Sequence, residues 1–179
     1  KKLKLLNDVP IISFCIPTYN RAGYVKDCIN AITQINSDKI EIIVSDNFSS
    51  DQTREEVLKL ASKDSRIKYF RNTVNIGQSR NIVKSFKLAT GKYIYLTSDE
   101  DLVNHHFFNK YIDMIDSSDW SLVVGSIFNN QDKKYYIKEV DNVALKINDI
   151  KGLDQVAYRF YLSGILFNRE LIDNDILYK

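Results

Sequence analysis

Several residue types are scarce in this chain, and each shortage excludes a class of protein. Glycine and proline number 6 and 2 in 179 residues, so flexible linkers and low-complexity segments are absent. There are two cysteines and two histidines. Cys15 and Cys28 sit in apolar surroundings and are expected to be buried free thiols of a reducing compartment, not a disulfide. His105 and His106 are adjacent, which provides no zinc-ligand spacing. No apolar run is long enough to cross a membrane, and Lys1-Lys2 is not followed by the apolar stretch of a secretory leader. An excess of one charge is missing too: 25 basic residues face 23 acidic ones, a net charge of +2. That balance argues against nucleic acid as the partner. No repeat with a period of about 20–50 residues is visible, which excludes a solenoid. The initiator methionine is also missing, so a fragment of a longer protein is expected, lacking a C-terminal part.

What is present suits one globular domain, with 44% hydrophobic and 27% charged residues. Ile11–Ile16 is a continuous apolar run ended by Pro17, as in a buried parallel strand. Val25, Cys28, Ile29 and Ile32 recur at helical spacing. Ile40–Val44 is a second strand, closed by Ser45-Asp46-Asn47. Ser49, Ser50 and Asp51 offer caps to a helix carrying Val57, Leu60 and Ala61 on one face. Ile67–Phe70 reads as a third strand, and Ile82, Val83, Phe86 and Ala89 as the buried face of a third helix that Gly91 terminates. Tyr93–Leu96 is a fourth strand. Strands joined by helices of about a dozen residues imply βαβ crossovers and a mostly parallel α/β sheet flanked by helices. Beyond residue 105 the spacing predicts a helix near Phe107–Ile115 and a strand at Leu122–Ile127. A polar turn at Asn129–Lys134 follows, with Tyr135–Ile137 returning. A helix over Asp149–Phe160 and a last strand at Gly164–Phe167 complete the series.

Ligands of open parallel sheets bind at the carboxyl ends of the strands, so the polar residues there are the candidates. Pro17-Thr18-Tyr19-Asn20-Arg21, Asp46-Asn47, the stretch from Asn72 to Asn75, and Ser98 to Asp101 all fall on one rim. Asp99, Glu100 and Asp101 are hard oxygen donors of the kind that bridge Mg²⁺ or Mn²⁺ to substrate phosphates. The same three acids also fit a solvated turn ahead of the helix near Asn104. Asp46, after a buried strand, must reach solvent, a partner or a ligand, or simply form a turn. Asn75-Ile76-Gly77-Gln78-Ser79-Arg80-Asn81 enters a helix whose N-terminus and Arg80 suit phosphate oxygens, or is merely a helix start with a surface arginine.

The order of these motifs resembles family 2 glycosyltransferases. Pro17-Thr18-Tyr19-Asn20-Arg21 resembles that family's opening motif. Ile42-Ile43-Val44-Ser45-Asp46-Asn47, with Ser49, Ser50, Asp51 and Thr53, is similar to its strand-Asp-cap segment. Asn75-x-Gly77-x-x-Arg80-Asn81 is similar to the third motif, and Gly91-Lys92-Tyr93-Ile94 precedes the acidic loop at the family's distance. The resemblance covers roughly residues 10–105.

It implies a GT-A (Rossmann-like) fold in a single domain, 1–179, with a nucleotide-sugar-binding half at 10–104 and an acceptor-side half at 105–179. It also implies a nucleoside-diphosphate-sugar donor, UDP-sugar being favoured, and a saccharide, lipid-linked or glycoprotein acceptor. Thr18 and Tyr19 would line the base pocket and Asp46 would accept a hydrogen bond from the base. Arg80 would lie near the base or diphosphate, and the acidic loop would hold Mn²⁺ or Mg²⁺. Pro17, Asn20, Arg21, Asn47, Asn75, Gly77, Ser98 and Asp99 complete the implied nucleotide-sugar site. Transfer would invert the anomeric centre. By the same analogy the protein works in the cytoplasm or at the inner face of the membrane, in bacterial surface-polysaccharide assembly.

The chain departs from the family's pattern in two places. Thr97 stands where the acidic loop of the family has its first aspartate, so Asp99 and Asp101 are the favoured metal ligands, with Glu100 behind them. After Ser163-Gly164-Ile165-Leu166-Phe167-Asn168-Arg169, only Glu170, Asp173 and Asp175 are on offer as a base, and none matches the family's motif, so the catalytic base is not assigned. A nucleotide-sugar-binding module of a larger synthase, inactive alone, is the second expectation. No glycine-rich loop follows the first strand, which argues against a nucleotidyltransferase or a dinucleotide-dependent oxidoreductase.

Overall fold

A computed structural model of the chain describes residues 9–117, 122–124, 128–129, 134–135 and 165–170. β1 (Ile12–Thr18), α1 (Ala22–Thr33), β2 (Ile40–Asp46), α2 (Thr53–Ala61), β3 (Ile67–Arg71), α3 (Gln78–Leu88) and β4 (Tyr93–Leu96) alternate through the first half. They are followed by α4 (His105–Asp116), β5 (Leu122–Val124), the paired strands β6 (Phe128–Asn129) and β7 (Lys134–Tyr135), and β8 (Ile165–Asn168). The helix expected over Asp149–Phe160 and the tip of the turn between β6 and β7 lie outside the described residues. Among the described residues no helix is long and apolar enough to cross a membrane.

One six-stranded sheet has the order β3-β2-β1-β4-β8-β5. β1 pairs in parallel with both β2 and β4, and β2 with β3. β8 runs antiparallel to its neighbours β4 and β5. Crossovers between parallel strands are right-handed. The chain steps outward from β1 to β3 and then returns to β4 on the other side of β1. That reversal puts α3 on the opposite face from α1 and α2.

The core divides accordingly. Phe14, Ile16, Ile42 and Val44 face Val25, Ile29 and Ile32 of α1, Val57 of α2, and Phe108, Ile112 and Ile115 of α4. Cys15, Ile43 and Ile94, the alternate residues of the same strands, face Ala89, Phe86 and Leu88 at the end of α3. Strands apolar on both faces are what a two-sided parallel sheet requires, and each fully buried Ile or Phe contributes roughly 1.5–3 kcal/mol.

Three local expectations are corrected. β1 does not stop at Pro17 but runs through it to Thr18, with Pro17 opposite Ser45 of β2. Asn47 donates its N–H to the Thr18 carbonyl on the β2 side. Pro17, one residue earlier, therefore turns its missing N–H toward β4, which has already ended at Leu96. Gly91 is not a left-handed helix cap, because α3 ends at Leu88 with Ala89 beyond it. A Cβ at Gly91 would lie 2.7 Å from Ser13 Oγ and 3.0 Å from Ser13 N, so close approach to β1 is what excludes a side chain there. On α3, Ile82, Val83 and Phe86 are only partly covered, and the fully buried positions are the polar Asn81 and Ser85.

At the amino-terminal end of the strands, opposite the candidate rim, lies a charge cage that sequence reading did not single out. Glu41 of β2 is 1% exposed and accepts from Lys68 Nζ at 2.6 Å. It also accepts from Ser13 Oγ at 2.5 Å, Thr90 N at 2.6 Å and Thr90 Oγ1 at 2.9 Å. Burial alone would push this carboxyl up, but Lys68, Ser13 and Thr90 outweigh it and hold the group below its ordinary value.

Candidate functional site

The reversal of strand order falls between β1 and β4, and crevices for ligands open at such switch points. Side-chain hydrogen bonds span this one. Thr18 Oγ1, at the end of β1, donates to Asp99 Oδ2 in the loop after β4, at 2.7 Å. Asp99 is almost wholly buried. Burial raises its carboxyl above the usual range, and the Thr18 hydroxyl and the Arg21 charge do not cancel that rise. Such a carboxylate lacks positive charge. Arg21, at the start of α1, supplies part of it, its Nη1 lying 2.6 Å from Glu100 Oε2 and 3.5 Å from Asp99 Oδ1. The guanidinium is held above its ordinary value by Glu100 first and Asp99 second.

Asp101 does not join this group. Its N–H donates to the Ser98 carbonyl at 3.1 Å, and its buried Oδ2 has no hydrogen-bond partner among the described residues. The Cys28 thiol, which donates to the Ser98 carbonyl at 3.6 Å, is pushed up by burial, then by Asp101 and Asp99. Both cysteines are buried and free. The acids do not cap α4 either, because Asn104 does so, accepting from the N–H groups of His106 and Phe107.

Asp46 is fully buried at the end of β2. Its Oδ1 accepts from Ser49 N at 2.8 Å, and its Oδ2 from the Tyr69 hydroxyl at 2.5 Å with Arg71 Nε at 3.5 Å. Tyr69 and Arg71 were not among the sequence candidates. The signal for Arg71 was register, since β3 sets it directly opposite Asp46. Arg71 also lies over the Phe48 ring at 4.4 Å, and Phe48 has φ 70°, a left-handed backbone that an aromatic residue adopts at a cost.

Amides join the neighbouring loop to the sheet. Asn47 Nδ2 donates to Asn75 Oδ1 at 2.8 Å, and Asn47 Oδ1 accepts from Asn72 Nδ2 and Ile76 N. Asn75 Oδ1 accepts from Gly77 N, and Gly77, with φ 85°, precedes α3 in a conformation that disfavours other residues. Asn81 Oδ1 accepts from Ser45 Oγ and Asn72 Nδ2, while its Nδ2 donates to the Ser45 carbonyl. Asn47, Asn75 and Gly77 therefore shape the rim. Arg80 stands exposed on the first turn of α3. Tyr19 is exposed beside Asn20, whose Oδ1 accepts from Ser50 N. Pro17 ends up inside β1, next to Thr18, and Ser98 lies partly covered beneath the acidic loop.

Glu170 is excluded from this rim. β8 runs opposite to β4, and Asn168 pairs with Tyr93 at the start of that strand. Glu170, two residues on, thus sits at the far end of the sheet from Asp99. Asp173 and Asp175 lie outside the described residues.

The model of the family described as glycosyl transferase family 2 matches residues 13–174. The chain belongs to that family. One relative, abequosyltransferase RfbV of Salmonella typhimurium, is 42% identical over 95 residues, covering 51% of this chain and 28% of its own length. The chain therefore spans less than a third of that relative. Among solved structures, Staphylococcus aureus TarS 1–349 in complex with UDP-GlcNAc gives a TM-score of 0.58 at 23% identity, over 63% of this chain and 33% of TarS. Mannosyltransferase PcManGT of Pyrobaculum calidifontis, in complex with GDP-Man and Mn²⁺, gives 0.58 at 20% identity, over 70% of this chain and 38% of its own. These likenesses establish the GT-A fold for this family 2 domain, as the motif order implied.

Proposed function

We propose that this domain is the donor-binding part of a glycosyltransferase that moves a sugar from a nucleoside-diphosphate sugar, UDP-sugar being favoured, to a hydroxyl acceptor. The observation that carries the reading is the Thr18–Asp99 hydrogen bond across the switch point, with Arg21 and Glu100 beside it. It sets hard oxygen donors and a guanidinium at the one crevice the topology opens.

Among the described residues no three His, Cys, Asp or Glu side chains form a metal cage. Mg²⁺ and Mn²⁺ need less, because one or two carboxylates suffice when substrate phosphates and waters complete the shell. Asp99, short of positive charge, fits that donor set. Glu100 already shares a cation with it, and Asp101 carries an unpartnered oxygen one residue further on. When bound, the ion supplies positive charge that stabilises the departing nucleoside diphosphate.

The chain's own residues do the rest. Thr18 fixes the rotamer of Asp99, and the Asn47–Asn72–Asn81 amides hold the loop leading to Arg80. A base approaching Asp46 would first meet Tyr69 and Arg71, which are more exposed and hold its Oδ2. Tyr19 offers an aromatic face to that base. We assign residues 10–104 to the donor and 105–179 to the acceptor, which is a saccharide, a lipid-linked glycan or a glycoprotein met at the cytoplasmic side of a membrane. Inversion at the anomeric carbon needs a base from outside the described rim.

A thermal-shift screen of UDP-, GDP-, dTDP- and CDP-sugars with and without Mn²⁺ tests this reading, since ligands that bind only the folded state raise its melting point. UDP-sugars should give the largest shift, in Mn²⁺ only, and Asp99→Asn should abolish it. An equal shift in EDTA, unchanged by that substitution, would refute the assignment.

A further inference from the structure

Resting on that reading, we propose that Arg21 is an exchangeable counter-ion. It holds the acidic loop while the site is empty, is displaced when a divalent cation takes Asp99 and Glu100, and then binds the diphosphate of the donor. Three observations meet here. The guanidinium already occupies the position between the two carboxylates, at 2.6 Å from Glu100 Oε2 and 3.5 Å from Asp99 Oδ1. An arginine cannot shed its proton to make room, so a dication arriving at the same oxygens must push it aside. The residue is built to move without the fold moving. Its N–H donates to Thr53 Oγ1 at 3.3 Å and its carbonyl accepts from Val25 N at 3.0 Å. The side chain, by contrast, is 44% exposed and only loosely set against the Tyr24 ring at 5.7 Å.

A released guanidinium at the same crevice meets the ligand that arrives with the metal. Planar bidentate N–H groups suit phosphate oxygens. Exchange of this kind couples the two ligands: metal binding frees Arg21, and freed Arg21 tightens diphosphate binding, with the same factor operating in both directions.

The test compares the wild-type protein with Arg21→Gln, using Mn²⁺ alone and UDP as probes in titration calorimetry and Mn²⁺ spin resonance. Arg21→Gln should melt within about 3 °C of wild type, because exposed ion pairs contribute little. It should bind Mn²⁺ alone about ten-fold more tightly than wild type, corresponding to a lost competitor worth one decade. At saturating Mn²⁺ its UDP affinity should be about ten-fold weaker, while in EDTA the two proteins should bind UDP alike. Equal Mn²⁺ affinity in the two proteins overturns the exchange. So does a UDP deficit that is the same with and without Mn²⁺, which would make Arg21 a static phosphate ligand. Asp99→Asn separates the two levels of the argument: if it retains wild-type Mn²⁺ affinity, the metal assignment itself fails and the exchange falls with it.

Discussion

Glu41→Gln should remove a large share of the domain's stability although it lies at the end of the sheet remote from the rim. The carboxylate accepts from Lys68 Nζ, Ser13 Oγ, Thr90 N and Thr90 Oγ1 at 2.5–2.9 Å, with Gly91 N a further donor at 3.2 Å. A carboxamide of the same shape keeps one acceptor oxygen but turns an NH₂ toward groups that also donate. Breaking a buried, charge-assisted cluster from one side costs about 3 kcal/mol, which for a domain of this size lowers the melting temperature by about 6–12 °C. Thermal melts of wild type and variant at pH 7, followed by circular dichroism, measure this directly.

The pH dependence carries a second signature. Glu41 is held below its ordinary value of 4.5 in the folded state. The folded state therefore binds fewer protons there than the unfolded chain, and the resulting stability is complete above that value and fades as pH falls through the lower folded one. Wild type should lose stability below about pH 4.5 more steeply than Glu41→Gln. A variant that melts within about 2 °C of wild type at pH 7, with an identical acid limb, would refute the cage as a source of stability.

Gly91→Ala should be destabilised by about 1–3 kcal/mol in urea melts, because the added methyl meets the backbone of Ile12 and Ser13, which cannot swing away, as well as Ser13 Oγ; a gain in stability would contradict that contact. Asn81→Ala leaves the Ser45 carbonyl, Ser45 Oγ and Asn72 Nδ2 without one partner each. It should cost about 2–4 kcal/mol by chemical denaturation and weaken UDP binding through the loop that the amides hold. Asn81→Asp, which keeps the acceptor but loses the donor, should fall between the two. Asp99→Asn should retain the wild-type melting temperature within about 3 °C, since Thr18 can still donate to its amide oxygen, while losing Mn²⁺.

The first half of the fold was legible because buried parallel strands write themselves as short apolar runs and amphipathic helices as 3.6-residue repeats. Ile40–Val44 and Tyr93–Leu96 fall in β2 and β4 as those patterns put them, although β2 runs on to Asp46. Pro17 misled because the meaning of a missing N–H depends on whether a neighbouring strand still runs alongside it. Gly91 misled because helix capping and close backbone approach select the same residue. The rim was legible as a set of loops but not in its inner wiring. Thr18 and Asp99 are 81 positions apart, and the turn geometry after β4, not spacing, decides that Glu100 meets Arg21 while Asp101 points inward. Glu41 drew no attention in the sequence, since its donors arrive from β1, β3 and the segment just beyond α3.

The reversed direction of β8 makes it begin at the end of the sheet where β4 and β5 finish. Val124, the last residue of β5, is paired with Ile165, the first of β8, and both stand at the edge where Asp99 lies. The chain thus leaves β5 and re-enters at β8 on the end of the sheet where Asp99 lies. Lengthening or rewriting that excursion adds a closure entropy that grows only logarithmically with length, and no strand has to change its neighbours. Selection can thus rewrite that excursion while β1, β2 and β4 and the loops at their ends stay untouched.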